Sequence, residues 1–449
     1  MLRAEFNLDI VPRPLARSIP LGPIGQMSAE KVHRAIDAVW RIESARIIAS
    51  LARMTGDLAV AEDLAQDALV TALEKWPETG IPDNPAAWLT AAAKKRAIDV
   101  LRRNKLVERK HAEIGASISE GNDSDDIEAL IDDDIGDDLL RLIFTTCHPV
   151  LSTEARVALT LRLLGGLTTT EIARAFIVPE PTIAQRIVRA KKTLTDSKVP
   201  FEVPRGDDRA ARLSSVLEVI YLIFNEGYSA TSGDDIMRPA LCEDALRVGR
   251  ILAELTPEEA EVHGLVALME IQASRSRARV DVGGEPVLLL DQDRSKWDRL
   301  LIRRGLAALD RANEMDTAPG SYLLQAEIAA CHARAMSADE TDWQRIAELY
   351  GLLMLVTPSP VVELNRAVAV SMATGPAMAL EIVDHLVQDG SLKSYHLLNA
   401  VRGDLLFKLA RYEEAITEFD RAASLTRNDR EKQLLEKRKA ECLQTLAEQ

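Results

Sequence analysis

The pattern of apolar and polar residues is clearest between residues 167 and 192, where it predicts two short helices on either side of Pro179. Thr168 or Thr169 is suited to cap the first helix, and Glu171 falls in its first turn. Pro181 is compatible with the second helix because it stands at the helix start. The apolar residues that recur at helical spacing and should face inward are Ile172, Ala173 and Phe176, then Ile183, Ile187, Ala190 and Leu194. Together they predict a helix-turn-helix.

The other side of the second predicted helix is polar and basic. The residues on that side, which we expect to contact DNA, are Thr182, Gln185, Arg186, Arg189 and Lys192. A helix-turn-helix places a surface of this kind in the major groove, where side chains reach base edges and phosphates. The pattern therefore indicates a protein that selects DNA sequences.

Two longer amphipathic helices are predicted upstream. The first covers residues 61–76, and its polar face consists of Glu62, Asp63, Gln66 and Asp67. After a turn-rich stretch at residues 77–85, the second runs from residue 86 to about residue 110 and is strongly basic. Its candidate DNA-binding residues are Lys94, Lys95, Arg96, Arg102, Arg103 and Lys105.

The net charge of -15 is unfavourable for DNA binding until it is divided along the chain. Residues 139–198 hold nine basic against four acidic residues, and residues 28–118 hold fourteen against thirteen. Residues 120–138, by contrast, hold ten acidic residues and no basic one. Positive charge is thus concentrated where the predicted DNA-binding helices lie, as contact with phosphates requires.

The back half, from residue 199, is typical of successive helices joined by short turns. Gly403, Ala415, Phe419 and Ala422 match the small and aromatic positions of a tetratricopeptide repeat. Ala379 precedes Ala415 by 36 positions, close to the period of about 34 residues. Small residues at these places let paired helices approach closely, so the pattern predicts a helical solenoid.

Composition favours an all-α protein of several domains, because the 449 residues are 47% apolar but only 4% aromatic. Four cysteines without paired spacing argue against a disulfide framework or a zinc site and fit a reducing cytoplasm. No apolar run approaches the roughly 20 residues needed to cross a bilayer. We expect a cytoplasmic protein without membrane contact, metal or cofactor. We also expect no enzymatic activity, because the sequence contains no evident nucleophile–base pair.

With these elements identified, the chain resembles the extracytoplasmic-function family of RNA polymerase sigma factors. The resemblance rests on residues 61–76 (AEDLAQDALVTALEKW), residues 86–105 (AAWLTAAAKKRAIDVLRRNK) and the helix-turn-helix, in that order. Each block alone is a weak pattern, but the three together are specific. The tail resembles that of one subgroup with tetratricopeptide-like extensions, so the resemblance covers nearly the whole chain. It implies an alternative sigma factor that directs promoter-specific transcription initiation.

The resemblance also implies roles for the candidate residues. The first block resembles region 2.2, so Glu62, Asp63, Gln66 and Asp67 would dock on the β′ subunit of core polymerase. The second resembles regions 2.3 and 2.4, so the basic residues between Lys94 and Lys105 would open and bind the -10 element. A basic helix beside the loop at residues 77–84 suits an unstacked strand. Residues 139–198 resemble region 4, so the polar face from Thr182 to Lys192 would bind the -35 element beside the β subunit.

Two positions depart from the family pattern. Ala184 is small where members often carry a base-contacting polar residue, so no promoter sequence is implied. Ile177 stands in the turn where Gly is usual, which places a β-branched residue in a left-handed backbone conformation.

The expected organisation is an arm at residues 1–27, region 2 at 28–112, an acidic linker at 113–138, region 4 at 139–198 and a regulatory helical domain at 199–449. Residues 1–27 have two interpretations that both stay open. They form a disordered arm, or they result from a start codon assigned too far upstream, since Met27 directly precedes the first helical pattern. The expected partners are core RNA polymerase, promoter DNA and an unidentified protein or ligand at the C-terminal domain. The sequence does not distinguish a tail that activates from one that inhibits.

Two other classes of protein stay open. A stand-alone helix-turn-helix regulator would bind duplex DNA without polymerase and would not need the two upstream blocks. A tetratricopeptide-type scaffold would bind partner peptides, and Arg186 and Arg189 would both be replaceable.

Overall fold

The computed structural model describes residues 29–113, 135–228, 237–281, 287–426 and 429–448. The predicted arm and nearly all of the predicted acidic linker lie outside these residues. The elements within them are α-helices and three short 3₁₀-helices, so the prediction of an all-α fold is confirmed. In the described ranges no helix is long and apolar enough to cross a membrane.

The first unit consists of α1 (Ala29–Thr55), α2 (Leu58–Thr79) and α3 (Pro85–Glu113). Asp57 caps α2 by accepting hydrogen bonds from the backbone nitrogens of Ala59 and Val60. The apolar face predicted for α2 packs inward on α1 and α3. This packing leaves the acidic stripe of α2 and the basic stripe of α3 on the outside of the unit.

The turn-rich stretch predicted for residues 77–85 is wrong in its extent. Helix α2 continues through Pro77 to Thr79, and only residues 80–84 lie outside a helix. Proline in the last turn removes one hydrogen bond, while the turn is held by the buried Trp76, whose ring lies 5.4 Å from that of Trp88 in an edge-to-face contact.

The second unit consists of α4 (Ile135–Thr146), α5 (Thr153–Leu163), α6 (Thr169–Phe176) and α7 (Glu180–Asp196). Helix α4 begins four residues before the expected start of this unit at residue 139. Asp137 and Asp138 lie in its first turn, where carboxylates interact favourably with the helix dipole. These two residues of the predicted linker therefore belong to a helix.

The third unit contains eleven of the described helices. They are α8 (Asp207–Tyr228), α9 (Pro239–Leu255), α10 (Ala260–Ser274), α11 (Arg299–Asn313), α12 (Ser321–Arg334), α13 (Trp343–Val356), α14 (Pro360–Thr374), α15 (Pro376–Asp389), α16 (His396–Lys408), α17 (Tyr412–Leu425) and α18 (Asp429–Ala447). Pro239, Pro360 and Pro376 each stand at a helix start, where the missing N–H costs nothing.

The small residues singled out in the tail lie where helices meet. Ala379 and Ala415 are fully buried. A Cβ added to Gly403 would lie 2.8 Å from the ring of Phe419, so α16 and α17 approach each other only because this residue is glycine. The packing expected of helix pairs is present, while the assignment to tetratricopeptide repeats stays a prediction.

One apolar core runs through all three units. It extends from Val32 in α1 through the helix-turn-helix to Met269 in α10. The beginning of the third unit is therefore part of the same core as the predicted DNA-binding units, and the rest of the third unit packs around three further cores among the described residues.

Candidate nucleic-acid interface

The helix-turn-helix is built by local hydrogen bonds. Thr168 Oγ1 accepts from the Glu171 backbone nitrogen, and Glu171 Oε2 accepts from the Thr168 backbone nitrogen at 2.8 Å, which forms a capping box. Ile177 adopts the left-handed conformation with φ of 51°, as its place in the turn predicted, at a cost of about 1 kcal/mol. The Val178 nitrogen then donates to the Ala173 carbonyl at 3.0 Å, and α7 begins two residues later.

The predicted outward face of α7 lies on the surface. Thr182, Gln185, Arg189 and Lys192 are exposed and Arg186 is half-buried. The inward residues Ile183, Ile187, Ala190 and Leu194 are all buried. Four of the five polar residues line one groove of about 460 Å³, together with the loop between α4 and α5. The arrangement offers hydrogen-bond donors, acceptors and positive charge on one accessible helix face.

Sequence reasoning missed one member of this face. Val188 is 66% exposed and lies at the edge of this face, about 40° around the helix axis from Lys192, because each residue advances by about 100°. An exposed aliphatic side chain on such a helix is suited to contact the methyl group of thymine. The available signal was its position outside the apolar stripe.

The basic residues of α3 differ in their exposure and in their contacts. Lys95, Arg102 and Arg103 are exposed, and Lys94 is half-buried. Arg96 instead bonds to α2, with Nη1 2.8 Å from Asp67 Oδ2 and Nη2 2.6 Å from Thr71 Oγ1. The side chain of Lys105 lies outside the described residues. Among the side chains that the structure describes, the predicted -10 surface therefore contains three exposed cations, with Arg96 linking α3 to α2.

The predicted polymerase face of α2 is partly covered by the second unit. Glu62 is only 4% exposed. Its Oε1 accepts from Arg162 Nε at 2.7 Å and from Gln66 Nε2 at 2.9 Å, and its Oε2 accepts from Lys191 Nζ. Arg162 belongs to α5 and Lys191 to α7. The structure thus joins the predicted polymerase face directly to the predicted recognition helix, while Asp63 and Asp67 stay exposed.

The charges around Glu62 keep it ionised. Burial opposes ionisation, but the charges and hydrogen bonds of Lys191 and Arg162 more than offset it, so the pKa of Glu62 is lowered. Beside this group, α1, α2, α5 and α6 enclose a cavity of about 600 Å³. The two units meet through specific ion pairs rather than through a continuous apolar surface at this point.

Two further ion pairs join the first and second units. Arg41 Nη2 of α1 lies 2.7 Å from Glu171 Oε1, the carboxylate of the capping box. Arg53 Nε, also in α1, lies 2.9 Å from Oδ2 of the buried Asp138. Both pairs hold the helix-turn-helix unit against α1.

The third unit is bonded to the same junction. Arg247 of α9 donates from Nη2 to the Gly165 carbonyl at 2.7 Å, and from Nη1 to the carbonyls of Leu164 at 3.1 Å and Arg41 at 3.4 Å. One guanidinium group therefore contacts the backbones of both predicted DNA-binding units. Sequence reasoning gave no reason to single out Arg247, because these three backbone partners lie 82 or more residues away along the chain.

A second group of contacts joins α8 to the helix-turn-helix unit. Arg156 donates to Ser215 Oγ and to Glu218 Oε2, the latter at 3.0 Å. Ser215 Oγ in turn donates to the Cys147 carbonyl at 2.7 Å, and Arg212 Nη2 donates to the Phe144 carbonyl at 2.9 Å. These contacts fix the third unit on the side of α4 and α5.

The chain has two adjacent Cys-His pairs, Cys147–His148 and Cys331–His332, and neither belongs to a group of three potential metal ligands among the described residues. Burial raises the pKa of Cys147, and burial together with Arg212 lowers the pKa of His148 to about 4. The thiol and the imidazole are therefore both neutral at pH 7.

Three family models match the chain. Sigma-70 region 2 matches residues 42–107, Sigma-70 region 4 matches residues 141–194, and a family of unknown function (DUF6596) matches residues 212–313. The first two matches coincide with the basic and acidic helices of the first unit and with the helix-turn-helix unit. The third begins within α8 and ends with α11.

Individual proteins are also similar to this chain. An uncharacterized protein of Rhizobium meliloti, R00370, is 44% identical over 379 residues, which are 84% of this chain and 89% of that protein. The probable ECF RNA polymerase sigma factor SigI of Mycobacterium tuberculosis is 25% identical over 183 residues, 39% of this chain and 60% of SigI. The ECF RNA polymerase sigma factor SigL of the same species is 29% identical over 143 residues, 32% of this chain and 76% of SigL.

Proposed function

Because this chain belongs to the extracytoplasmic-function family of RNA polymerase sigma factors, we propose that the arrangement described above is the resting, closed state of such a factor. As an alternative sigma factor it binds core RNA polymerase and directs transcription initiation at promoters. The closed state would have to open before the factor acts. The observation that carries this proposal is the burial of Glu62 between Arg162 and Lys191.

The burial of Glu62 under α5 and α7 supports a closed resting state, because it makes part of the proposed polymerase-binding face inaccessible. Glu62 belongs to the polar face of α2, which we propose docks on the β′ subunit together with Asp63, Gln66 and Asp67. A partner subunit cannot reach Glu62 while α5 and α7 cover it. Docking therefore requires that the second unit leave α2.

The geometry of a promoter supports the same conclusion. The -10 and -35 elements are separated by about 25 base pairs, or roughly 85 Å of duplex at 3.4 Å per base pair. In the structure α7 touches α2 through Lys191 and Glu62. The helix proposed for the -35 element and the unit proposed for the -10 element are thus in direct contact, too close to bind both elements at once.

We assign the DNA contacts from the accessible side chains. In the open state the polar face of α7 would lie in the -35 major groove, with this unit beside the β subunit. The residues of that face are Thr182, Gln185, Arg186, Arg189 and Lys192. Lys95, Arg102 and Arg103 would contact the opened -10 strand, and Lys94 and Lys105 belong to the same helix. Arg96 is better placed to hold α3 on α2. The protein would perform no covalent chemistry of its own and would act where the polymerase is, in the cytoplasm.

We further propose that the third unit stabilises the closed state. Arg247 contributes hydrogen bonds to the backbones of both DNA-binding units, and α8 is bonded to α4 and α5. A hydrogen bond that involves a charged group contributes about 1.5–3 kcal/mol. Loss of the Arg247 contacts should therefore shift the equilibrium toward the open state by roughly one to two factors of ten.

The test is a titration of core RNA polymerase with the full-length chain and its Arg247→Ala variant. A closed resting state predicts that Arg247→Ala binds core polymerase more tightly, by roughly tenfold, and gives more transcript at limiting factor concentration. Arg303→Ala is the matched control, because Arg303 is an exposed arginine of α11, and it should behave as wild type. Point variants are preferable to truncation at residue 198, since that cut would divide the shared core.

The possible results separate the two parts of the proposal. Promoter-specific transcription with core polymerase that does not increase in Arg247→Ala would contradict the closed resting state alone. If the wild-type chain and Arg247→Ala both fail to bind core polymerase, the assigned polymerase and promoter contacts would be wrong as well.

A further inference from the structure

A second cavity, of about 390 Å³, lies within the third unit and has no part in the function proposed above. It is lined by α8, α10, α12, α13 and α14, of which four are alternate helices of the solenoid. Its volume falls in the range typical of sites for small molecules, at the lower end. We call it the tyrosine cavity, because Tyr221, Tyr322 and Tyr350 line its wall.

The tyrosine cavity has an aromatic wall. The rings of Tyr221 and Tyr322 meet edge-to-face with centroids 5.4 Å apart. Burial raises the pKa of Tyr350 to about 12, so its phenol stays protonated. Leu268, Leu353 and other aliphatic side chains complete this wall. Such a wall accommodates a flat aromatic ring and provides hydroxyl groups at its edge.

One end of the tyrosine cavity carries a positive charge. Arg275 lines the cavity at the end of α10, and its guanidinium carbon is 5.9 Å from the ring centres of both Tyr228 and Trp297. Within the described part of the chain its Nε is buried without a hydrogen-bond partner. No carboxylate of the described residues lines the cavity. An anion would therefore find a cation there and no carboxylate among the described lining residues.

A buried imidazole lies in the same cavity. His332 is 7% exposed, and among the described residues its Nδ1 has no hydrogen-bond partner. Burial, with the nearby charges of Arg275 and Arg294, lowers the pKa of His332 to about 4, so the ring is neutral at pH 7. Its carbonyl holds Arg294 Nη1 at 2.7 Å, which fixes the backbone that carries it. An unsatisfied, nine-tenths buried polar atom calls for a partner that the described chain does not supply.

We propose that the tyrosine cavity binds a small aromatic carboxylate, with its ring among the tyrosines and its carboxylate on Arg275. His332 Nδ1 forms a further hydrogen bond to the same ligand. The guanidinium provides the charge that distinguishes an acid from its neutral amide, while the tyrosines distinguish a ring from a simple anion. The site belongs to the third unit alone and is measured on the free chain, independently of polymerase.

The experiment is isothermal titration of the full-length chain with three compounds that share one ring: indole-3-acetate, indole-3-acetamide and tryptamine. Acetate without a ring is titrated as the simple anion. The proposal predicts that indole-3-acetate binds roughly tenfold or more tightly than the amide, the range expected for a charge-assisted hydrogen bond. Tryptamine and acetate should show no binding.

Arg275→Gln tests the role assigned to the guanidinium. This variant should reduce the affinity for indole-3-acetate to that for the amide and leave the amide affinity unchanged. Arg277→Gln, an exposed arginine two residues away, is the matched control and should keep the preference for the acid. Thermal unfolding of each variant checks that the fold is intact. The proposal is overturned if the wild-type chain binds none of the indoles, binds all three equally, or keeps its preference for the acid in Arg275→Gln.

Discussion

Helices α2 and α7 both carry a polar stripe opposite an apolar one, yet the two polar stripes have different surroundings. The stripe of α7 that begins at Thr182 is open to solvent along a groove. The stripe of α2 is covered at Glu62 by residues from α5 and α7. The comparison teaches that a polar stripe on an amphipathic helix specifies a surface, but not whether that surface is free in the resting molecule.

The two stripes also differ in how charge is balanced. Glu62 has two cationic partners and is ionised in a buried setting. Gln185, Arg189 and Lys192 face water. Removing a charge should therefore destabilise the fold in the first case and weaken only DNA binding in the second.

The largest expected effect is that of Glu62→Gln. Removal of one carboxylate leaves Arg162 and Lys191 without their counter-ion, which should cost about 3 kcal/mol of unfolding free energy. Asp63→Asn, the neighbouring exposed residue, is the matched control and should change stability by no more than about 0.5 kcal/mol. Denaturant unfolding of the three proteins measures both values. Equal stabilities for the two variants would remove the distinction between the stripes.

The same contribution should depend on pH in a defined direction. The pKa of folded Glu62 is lowered from its ordinary value of 4.5. Its stabilisation is therefore fully present above pH 4.5 and is lost as the pH falls below that value through the folded pKa.

The measurement is the difference in stability between wild type and Glu62→Gln from pH 7 to pH 3.5. Other carboxylates titrate in both proteins and cancel in the difference. The difference should be constant down to about pH 5 and then shrink. A difference that stays constant to pH 3.5 would show that the Glu62 carboxylate does not titrate as its ion pairs require.

A smaller effect is expected on the open stripe. Arg189→Ala should reduce transcription from a promoter of the factor by roughly tenfold, since one DNA contact contributes about 1–3 kcal/mol. Its unfolding free energy should match that of wild type. Arg205→Ala, an exposed arginine ahead of α8, should leave transcription unchanged. A loss of stability in Arg189→Ala equal to that of Glu62→Gln would contradict the comparison.

The smallest effect concerns Val188. If its methyl groups contact a thymine, replacing that dT by deoxyuridine in the -35 element should weaken binding of the wild-type chain by a few-fold, or about 1 kcal/mol at most. Val188→Ser should bind both promoters equally. The test is a fluorescence anisotropy titration of holoenzyme on the two promoters. If no such replacement changes the affinity of the wild-type chain, Val188 does not belong to the recognition surface.

The sequence predicted the features that depend on neighbours along the chain. The inward face of α7, the capping box at Thr168 and the left-handed Ile177 all follow from residues within one or two helical turns. The apolar face of α2 followed from periodicity in the same way. Local chemistry is enough to build a helix-turn-helix, so the pattern of residues predicted both the element and its outward side chains.

The burial of Glu62 could not be predicted in this way. Its two cationic partners lie 100 and 129 residues away, and a glutamate in a polar stripe is ordinarily exposed. Likewise, the role of Arg96 in holding α3 on α2 depends on Asp67 and Thr71 of another helix. The extent of α2 beyond Pro77 depended on the packing of Trp76. The periodicity of apolar residues does not predict which surfaces of separate units come into contact.

The most direct test of the closed resting state is a distance measurement between α2 and α7. The exposed residues Lys75 and Thr195 are replaced by Cys and labelled with a fluorescent donor and acceptor, since the four native cysteines are buried. The account predicts efficient transfer in the free chain and loss of transfer on the promoter complex with core polymerase, where the elements lie roughly 85 Å apart. Inefficient transfer in the free chain, equal to that of the active complex, would contradict it.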